Sequence, residues 1–326
     1  MSTPPISIAL CSYNGARHLR AQLDSFARQT LLPAELIIND DGSTDDTLAV
    51  AEEFARSAPF AVRIERNERN LGFTQNFARA VSRCSGELIF LSDQDDVWDP
   101  TKLARFADRF ARGPAPGLVF CDANLVDNDL KPLGQTWWGS RRFDAGARAR
   151  LEAPGGGKLI LKDPTWFAAG ATMAFAARFV PLCLPIPAGW GHDGWIATLV
   201  GMVAPVGVVA APLNDYRQHA AQLFGGSAPQ VVVNQLAQHR GATPDHFQNT
   251  AGRYAVLRER LASRDIRLDP RLARQIAGKI DHWAARARMR RGPKVLRLPT
   301  IGREFLAGRY HRYSQGWKSL AMDVLI

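Results

Sequence analysis

Glu87-Leu88-Ile89-Phe90-Leu91-Ser92-Asp93-Gln94-Asp95-Asp96-Val97-Trp98 is the stretch that decides how this chain folds. Its first half is a mostly apolar run of the length of a buried strand. Three carboxylates follow at once, at positions 93, 95 and 96. Carboxylates packed that closely at a strand end repel one another unless a cation sits among them. Hard divalent cations take carboxylate oxygens and complete their shells with water and substrate phosphates. The plain alternative is a solvated acidic turn that leads into a helix opened by Asp99-Pro100.

Working outward, strands and helices alternate. Short β-branched or apolar runs at 6–10, 35–38, 62–65 and 87–91 read as strands, and 16–29, 44–54 and 73–82 carry helical spacing. This order predicts an α/β fold with a mostly parallel sheet flanked by helices. In such sheets ligands bind outside the carboxyl ends of the strands. Ser12-Tyr13-Asn14, Asp40-Asp41 and Asp93 to Asp95 all follow predicted strands, so they converge on one crevice.

The middle, 117–226, is less regular: a strand at 118–122, then a loop-like stretch over 131–150 with Trp137-Trp138 and Arg141-Arg142. Residues 196–213 carry no charge until Asn214-Asp215, near the length of a membrane span. Gly201, Pro205, Gly207 and Pro212 break that run into a buried helix, 196–203, and a buried strand, 206–210. From 231 onward the sequence turns helical and basic. Residues 286–318 hold ten Lys or Arg against the single acid Glu304, which accounts for most of the net charge of +10. The expected division is therefore a domain over 1–230 and a basic α-helical region over 231–326.

An apolar content of 46% with 22% charged residues describes a globular chain. Cys11, Cys84, Cys121 and Cys183 form no C-x-x-C pair, which argues against a zinc site or a disulfide framework and fits reduced thiols in a cytoplasm. The first five residues lack the pattern of a secretory signal.

Six motifs then appear in a set order: Ser12-Tyr13-Asn14-Gly15, Asp40-Asp41-Gly42-Ser43-Thr44-Asp45, Asn70-Leu71-Gly72, Ser92 to Trp98, His192-Asp193-Gly194-Trp195 and Tyr216-Arg217-Gln218-His219. In that order they resemble the family 2 glycosyltransferases, over residues 6 to about 226, and the branch of bacterial rhamnosyltransferases of cell-surface polysaccharide synthesis most of all. The resemblance implies a GT-A nucleotide-sugar-binding fold and an inverting, metal-dependent hexosyltransferase. Its expected donor is dTDP-L-rhamnose, with a UDP-sugar as the alternative, and its expected acceptor is a glycan or lipid-linked glycan. Asp95 and His219 would ligate Mn²⁺ or Mg²⁺. Asp93 would contact the nucleotide, Asp41 would accept the imide N–H of a pyrimidine, and Ser12, Tyr13 and Asn14 would line the base pocket. Asn70, Asn76 and Arg217 would complete the nucleotide site. Asp193 would be the general base, Asp96 would support the site or face the sugar, and Gly170, Thr172, His192 and Trp195 would surround the donor sugar and acceptor. The chain departs from that branch at Ala220-Ala221-Gln222, where the branch carries Gly-Asn-Asn.

Each role has a structural counterpart. Asp41 also suits a turn before Gly42, Asn70 and Asn76 suit helix caps, and Asp193 suits the N-terminus of the following helix. Trp137, Trp138, Trp190 and Trp195 suit sugar walls, but core packing is the default for such residues, and only Trp190 or Trp195 is expected near the site. The basic region lacks a nucleic-acid module, so nucleic acid is not an expected partner. A basic amphipathic helix that continues from Ile276, Ile280 and Trp283 into 286–291 suits an anionic membrane surface, and equally a solvated helix packed on the catalytic domain. The chain is then expected to be cytoplasmic or peripheral at the inner face of the plasma membrane. A rival class is a non-catalytic nucleotide-sugar-binding protein that keeps the fold.

Overall fold

The computed structural model describes residues 3–162, 168–218 and 244–325. The chain divides into two compact units, Met1–Leu223 and Phe224–Ile326.

The first unit is built on β1 (Ile6–Ser12), β2 (Glu35–Asp40), β3 (Ala61–Arg66), β4 (Leu88–Ser92), β5 (Val97–Trp98), β6 (Leu118–Val126), β7 (Pro132–Thr136), β8 (Met173–Ala176) and β9 (Val206–Arg217). Their order in the sheet is β3-β2-β1-β4-β8-β6-β9-β5, with β7 paired to β6. Helices α1 (Ala16–Ala27), α2 (Thr47–Ala55), α3 (Phe73–Arg83) and α4 (Lys102–Ala111) connect the strands of the first half. Leu10, Leu23, Ile38, Phe90 and Phe106 are enclosed between these layers. The sequence leads to these elements because β1, β2 and β4 are apolar on both faces, as central parallel strands must be.

The sheet is more mixed than the alternation predicts. Strands β1 to β4 are parallel, but β8 lies antiparallel between β4 and β6, and β5 runs antiparallel to β9. The stretch 131–150 is not a loop. It holds β7 and the helices α5 (Trp137–Ser140) and α6 (Ala145–Glu152). Thr136 Oγ1 accepts from the Gly139 N–H at 3.1 Å and Asp144 Oδ1 from the Ala147 N–H at 2.7 Å, so each helix has a capping side chain. Trp137 and Trp138, both on α5, are buried, Trp137 beside Tyr216 and Trp138 beside Phe143. Helix α2 starts at Thr47, three residues later than expected, because Asp45 Oδ1 accepts the Thr47 N–H at 3.1 Å in an Asx turn. Three further helices are α7 (Lys158–Lys162), α8 (Val180–Cys183) and α9 (His192–Val203). Among the described residues no helix is long and apolar enough to cross a membrane.

The second unit contains α10 (Pro244–Ala262), α11 (Pro270–Arg291), α12 (Leu298–Leu306), α13 (Arg309–Tyr313) and α14 (Trp317–Leu325). Its basic residues are not simply a solvated face. Arg286 is buried and binds Asp323 through Nε at 2.7 Å and Nη2 at 3.0 Å, while Arg290 Nη2 reaches the same carboxylate at 2.8 Å and the Tyr310 hydroxyl donates to it at 2.9 Å. Burial pushes the Asp323 carboxyl up, but the bonds from Arg286 and Arg290 outweigh it and hold it below the usual range. Buried His282 faces Glu304 across 2.8 Å, and Arg309 reaches Glu304 at 3.1 Å. The apolar side expected to lie on lipid is used internally: Ile276 is buried and the Trp283 indole donates to the Tyr313 carbonyl at 3.1 Å.

Burial lowers the His282 imidazole to about 4, against the opposing pull of Glu304. The unfolded chain binds this proton below about 6.5 and the folded one only below about 4, so this contribution is complete above pH 6.5 and is lost as pH falls to 4. Thermal unfolding followed between those pH values should show a loss of roughly 3 kcal/mol at most. A His282→Gln variant should flatten the profile, and an unchanged profile would remove the assignment.

Candidate active site

Three strand ends meet here, each fixed by its neighbours. After β1, the Ser12 hydroxyl donates to Asp40 Oδ2 at 3.1 Å. Tyr13 is half exposed, and the Gln94 amide clasps its backbone, accepting from its N–H at 2.9 Å and donating to its carbonyl at 3.1 Å. Gly15 permits that clasp, since a Cβ there would lie 2.0 Å from Gln94 Oε1. Asn14, at φ +47°, donates its N–H to Ser43 Oγ at 2.9 Å and accepts from the Thr44 N–H at 2.8 Å. The first and second strand ends are thereby locked together.

After β2, Asp41 is buried and already accepts three hydrogen bonds, from Asn67 Nδ2 at 2.7 Å, the Leu71 N–H at 2.8 Å and the Gly72 N–H at 2.9 Å. An ionised carboxylate has about four acceptor positions, so one is left for a ligand. Asn70 accepts from the Gly72 N–H at 3.0 Å, a local turn contact. The amide of buried Asn76 is used within the protein: its Nδ2 donates to the Asn39 carbonyl at 2.9 Å and its Oδ1 accepts from Asn67 at 2.9 Å and from Asn39. The expected direct contact from Asn76 to the nucleotide is thereby corrected, because Asn76 stands behind Asn67, which in turn holds Asp41.

After β4 the acidic cluster is as crowded as its spacing suggests. Burial pushes the Asp93 carboxyl up to about 7, and the charges of Asp95 and Asp193 add to the rise while Lys102 opposes it. Asp96 is also pushed well above the ordinary range by burial, then by Asp95 and Asp93. Its two oxygens accept from Asn214 Nδ2 at 2.9 Å and the Arg217 N–H at 3.1 Å, so Asp96 anchors β9 rather than facing a sugar. Arg217 is buried, with Nε donating to the Asp95 carbonyl at 2.7 Å and Nη1 to the Asn128 carbonyl.

Lys102, Gln94 and the Asn39–Asn67 pair are site residues that the sequence reading missed. Lys102 is fully buried, donates to the Ala171 carbonyl at 2.6 Å and to Asn214 Oδ1 at 3.0 Å, and sits 3.7 Å over the Trp98 ring. Burial lowers it to about 8, opposed by the nearby acids. Nothing in its position at a helix start marks a lysine as buried. Asn67 follows β3 directly, so the strand-end rule that found Asp41 could have found it too.

On the far side, Asp193 stands in the first turn of α9, and its Oδ1 accepts from the Gly194 N–H at 2.6 Å. His192 is buried and stacked 3.7 Å from the Phe77 ring; burial lowers its pKa, and neither ring nitrogen has a hydrogen-bond partner among the described residues. Gly170 lies against it, where a Cβ would come 2.7 Å from His192 Nε2. Thr172 is buried and closes its own turn through the Ala169 carbonyl at 2.9 Å. Trp195 is fully enclosed, and its indole N–H donates to the Cys183 carbonyl at 2.7 Å, so it is core and not a sugar wall.

The Asp93 and Asp95 carboxylates suit a divalent ion that takes its other ligands from water and substrate phosphates. Burial raises the Asp93 carboxyl and the neighbouring Asp95 charge adds to the rise, so two crowded carboxylates after β4 favour that fit. Among the described residues no three His, Cys, Asp or Glu side chains gather to hold an ion by themselves. His219, the other expected ligand, lies outside the described residues.

The family Glycosyl transferase family 2 matches residues 7–163. An uncharacterized protein of Mycobacterium tuberculosis is 36% identical over 136 residues, 39% of each chain. The chain thus spans about two fifths of the length of such curated relatives. An uncharacterized glycosyltransferase of Nostoc sp. is 26% identical over 243 residues, covering 72% of this chain and 71% of its own. Among solved structures, S. aureus TarS 1-349 in complex with UDP-GlcNAc superimposes with a TM-score of 0.57 at 15% identity, over 86% of this chain and 72% of that one. The mannosyltransferase PcManGT from Pyrobaculum calidifontis, in complex with GDP-Man and Mn²⁺, gives 0.55 at 16% identity, over 99% and 85%. Residues 7–163 are thus similar to the glycosyl transferase family 2 model, and the chain shares the GT-A fold of these solved structures.

Proposed function

We propose that the chain is an inverting, divalent-metal-dependent hexosyltransferase that moves a sugar from a nucleoside-diphosphate donor to a glycan or lipid-linked glycan in cell-surface polysaccharide synthesis. The observation that carries this reading is the crowding of Asp93 and Asp95 after β4, with the charge of Asp193 from α9 bearing on the same point. Residues 1–230 are the catalytic domain in this reading, and 231–326 form a helical appendage. The reaction is assigned to the cytoplasm.

Asp41 offers its remaining acceptor position to the imide N–H of a uracil or thymine, with Tyr13 exposed beside it and the Asn39–Asn67–Asn76 network holding the carboxylate in place. Asp93 and Asp95, with His219, would hold Mn²⁺ or Mg²⁺. When bound, such an ion stabilises the negative charge that grows on the departing diphosphate. Arg217 keeps the Asp95 backbone in register and places positive charge behind it. Asp193 accepts the proton of the acceptor hydroxyl as its oxygen bonds to the anomeric carbon. The bond from that carbon to the diphosphate breaks on the opposite face, and the configuration inverts. The motif order favours dTDP-L-rhamnose as donor. A UDP-sugar is the alternative, and TarS and PcManGT show that proteins of this fold take UDP-GlcNAc and GDP-Man.

Calorimetric titration of dTDP, UDP, GDP and their sugar conjugates, with and without Mn²⁺, tests the reading. A metal-dependent heat with a dTDP or UDP species supports it. Preference for GDP would remove the pyrimidine role of Asp41, and silence with every donor would leave a non-catalytic protein on the same fold.

A further inference from the structure

Helix α14 of the second unit is amphipathic in the inverted sense. Its enclosed side carries two buried polar residues beside Leu320, which packs on the Met289–Ile301–Tyr310 cluster: Ser319 and Asp323 are each 1% exposed, and Asp323 receives Arg286, Arg290 and Tyr310. Its outward side is apolar, with Trp317 at 64%, Val324 at 51% and Leu325 at 73% exposure. Trp317, Val324 and Leu325 fall within roughly 100° of arc on a helix, opposite Ser319 and Asp323. Neighbouring α12 extends the apolar surface: its Phe305 packs 5.2 Å from the Trp317 ring, and Leu306 beside it is 86% exposed. Isolated exposed leucines are ordinary, but an indole and several aliphatic side chains grouped on adjoining helices need a partner.

The charge around this surface says which partner. Within 286–325 the two acids, Glu304 and Asp323, are both buried and paired, whereas Arg288, Arg303 and Arg312 are exposed. Exposed Asp281, on α11, and Glu304 line one cavity with Arg288, Arg303 and Arg309, where three arginines face two acids. An apolar face within a field of arginines matches a surface that is hydrocarbon beneath and anionic on top. We propose that the outward face of α12 and α14 docks on an anionic lipid bilayer, with Leu306, Trp317 and Leu325 entering the headgroup region and the surrounding arginines meeting lipid phosphates. A protein partner would have to offer the same apolar and acidic pairing. The Trp-with-Arg composition of the face is that of an interfacial anchor. The inference does not depend on the transfer chemistry.

Co-sedimentation of the full chain with vesicles tests it, comparing phosphatidylcholine alone with phosphatidylcholine mixed with phosphatidylglycerol. Binding should require phosphatidylglycerol, weaken as salt is raised, and fall about tenfold in a Leu306→Ser/Trp317→Ser double variant. Trp317 rests on Phe305, so Leu306→Asp alone, at a position that touches little, is the check against loosened packing; it too should bind several-fold more weakly with an unchanged melting temperature. Equal binding of the variants, or no binding of the native chain at low salt, overturns the proposal. So does a native dimer that both variants dissolve without any lipid effect, since the face would then join two copies.

Discussion

Asp95→Ala is expected to abolish the Mn²⁺-dependent part of donor binding, raising the donor Kd by about 100-fold or more, on the order of 3 kcal/mol. Donor phosphates and the acidic cluster repel each other, so they can share a site only if a cation lies between them. Removing one carboxylate takes away a ligand, and among the described residues no cluster of three His, Cys, Asp or Glu stands ready to replace it. The fold should survive, because Arg217 Nε grips the Asp95 backbone carbonyl, which the substitution keeps. The variant should even melt no lower than the native chain in the absence of metal. The Asp95 charge raises the carboxyl groups of both Asp93 and Asp96, so its loss relieves a repulsion. Calorimetry with and without Mn²⁺, next to a thermal melt, separates these effects. A variant that keeps its metal-dependent heat would move the metal away from Asp95.

The parts of this molecule that are legible in the sequence are those where local rules and tertiary structure agree. Strands β1, β2 and β4 are apolar runs that end in polar clusters, and the strand-end rule gathers Ser12, Asp41 and Asp93 into one region before any coordinates exist. The antiparallel insertion of β8 was not legible, because Met173-Ala174-Phe175-Ala176 is four residues long and carries no mark of its direction. The hidden half of the site was missed for a related reason. Lys102 reads as a surface residue at a helix start, and only the third dimension shows it between Ala171 and Asn214. Trp195 and Asn76 show the opposite failure: residue types suited to ligands that spend their polar groups inside the protein. The basic segment misled through its count of charges. Glu304 within it and Asp323 just beyond it are buried, and they draw Arg286, Arg290 and Arg309 inward.

Asp193→Asn is expected to cut kcat by about 10³-fold while leaving donor affinity intact. The substitution separates two roles that the position allows. As a helix-start residue, Asp193 contributes one backbone bond, to the Gly194 N–H, and a negative charge in the first turn of α9. Asparagine keeps an oxygen for that bond and forgoes only the charge, which is worth about 1 kcal/mol or less to the helix. A structural role therefore predicts a slightly lower melting temperature and normal turnover. A general base predicts the reverse, because the amide cannot take the acceptor proton. The electrostatics add a second signature. The Asp193 charge helps to raise the Asp93 carboxyl, so its removal should let Asp93 ionise more fully near neutral pH. Donor and metal binding should then stay level or tighten slightly as turnover collapses, a split that general damage to the fold would not produce. Steady-state kinetics with the donor varied, beside donor calorimetry, reads both halves. Normal turnover in Asp193→Asn would assign the proton to another group and leave Asp193 as a helix-start residue.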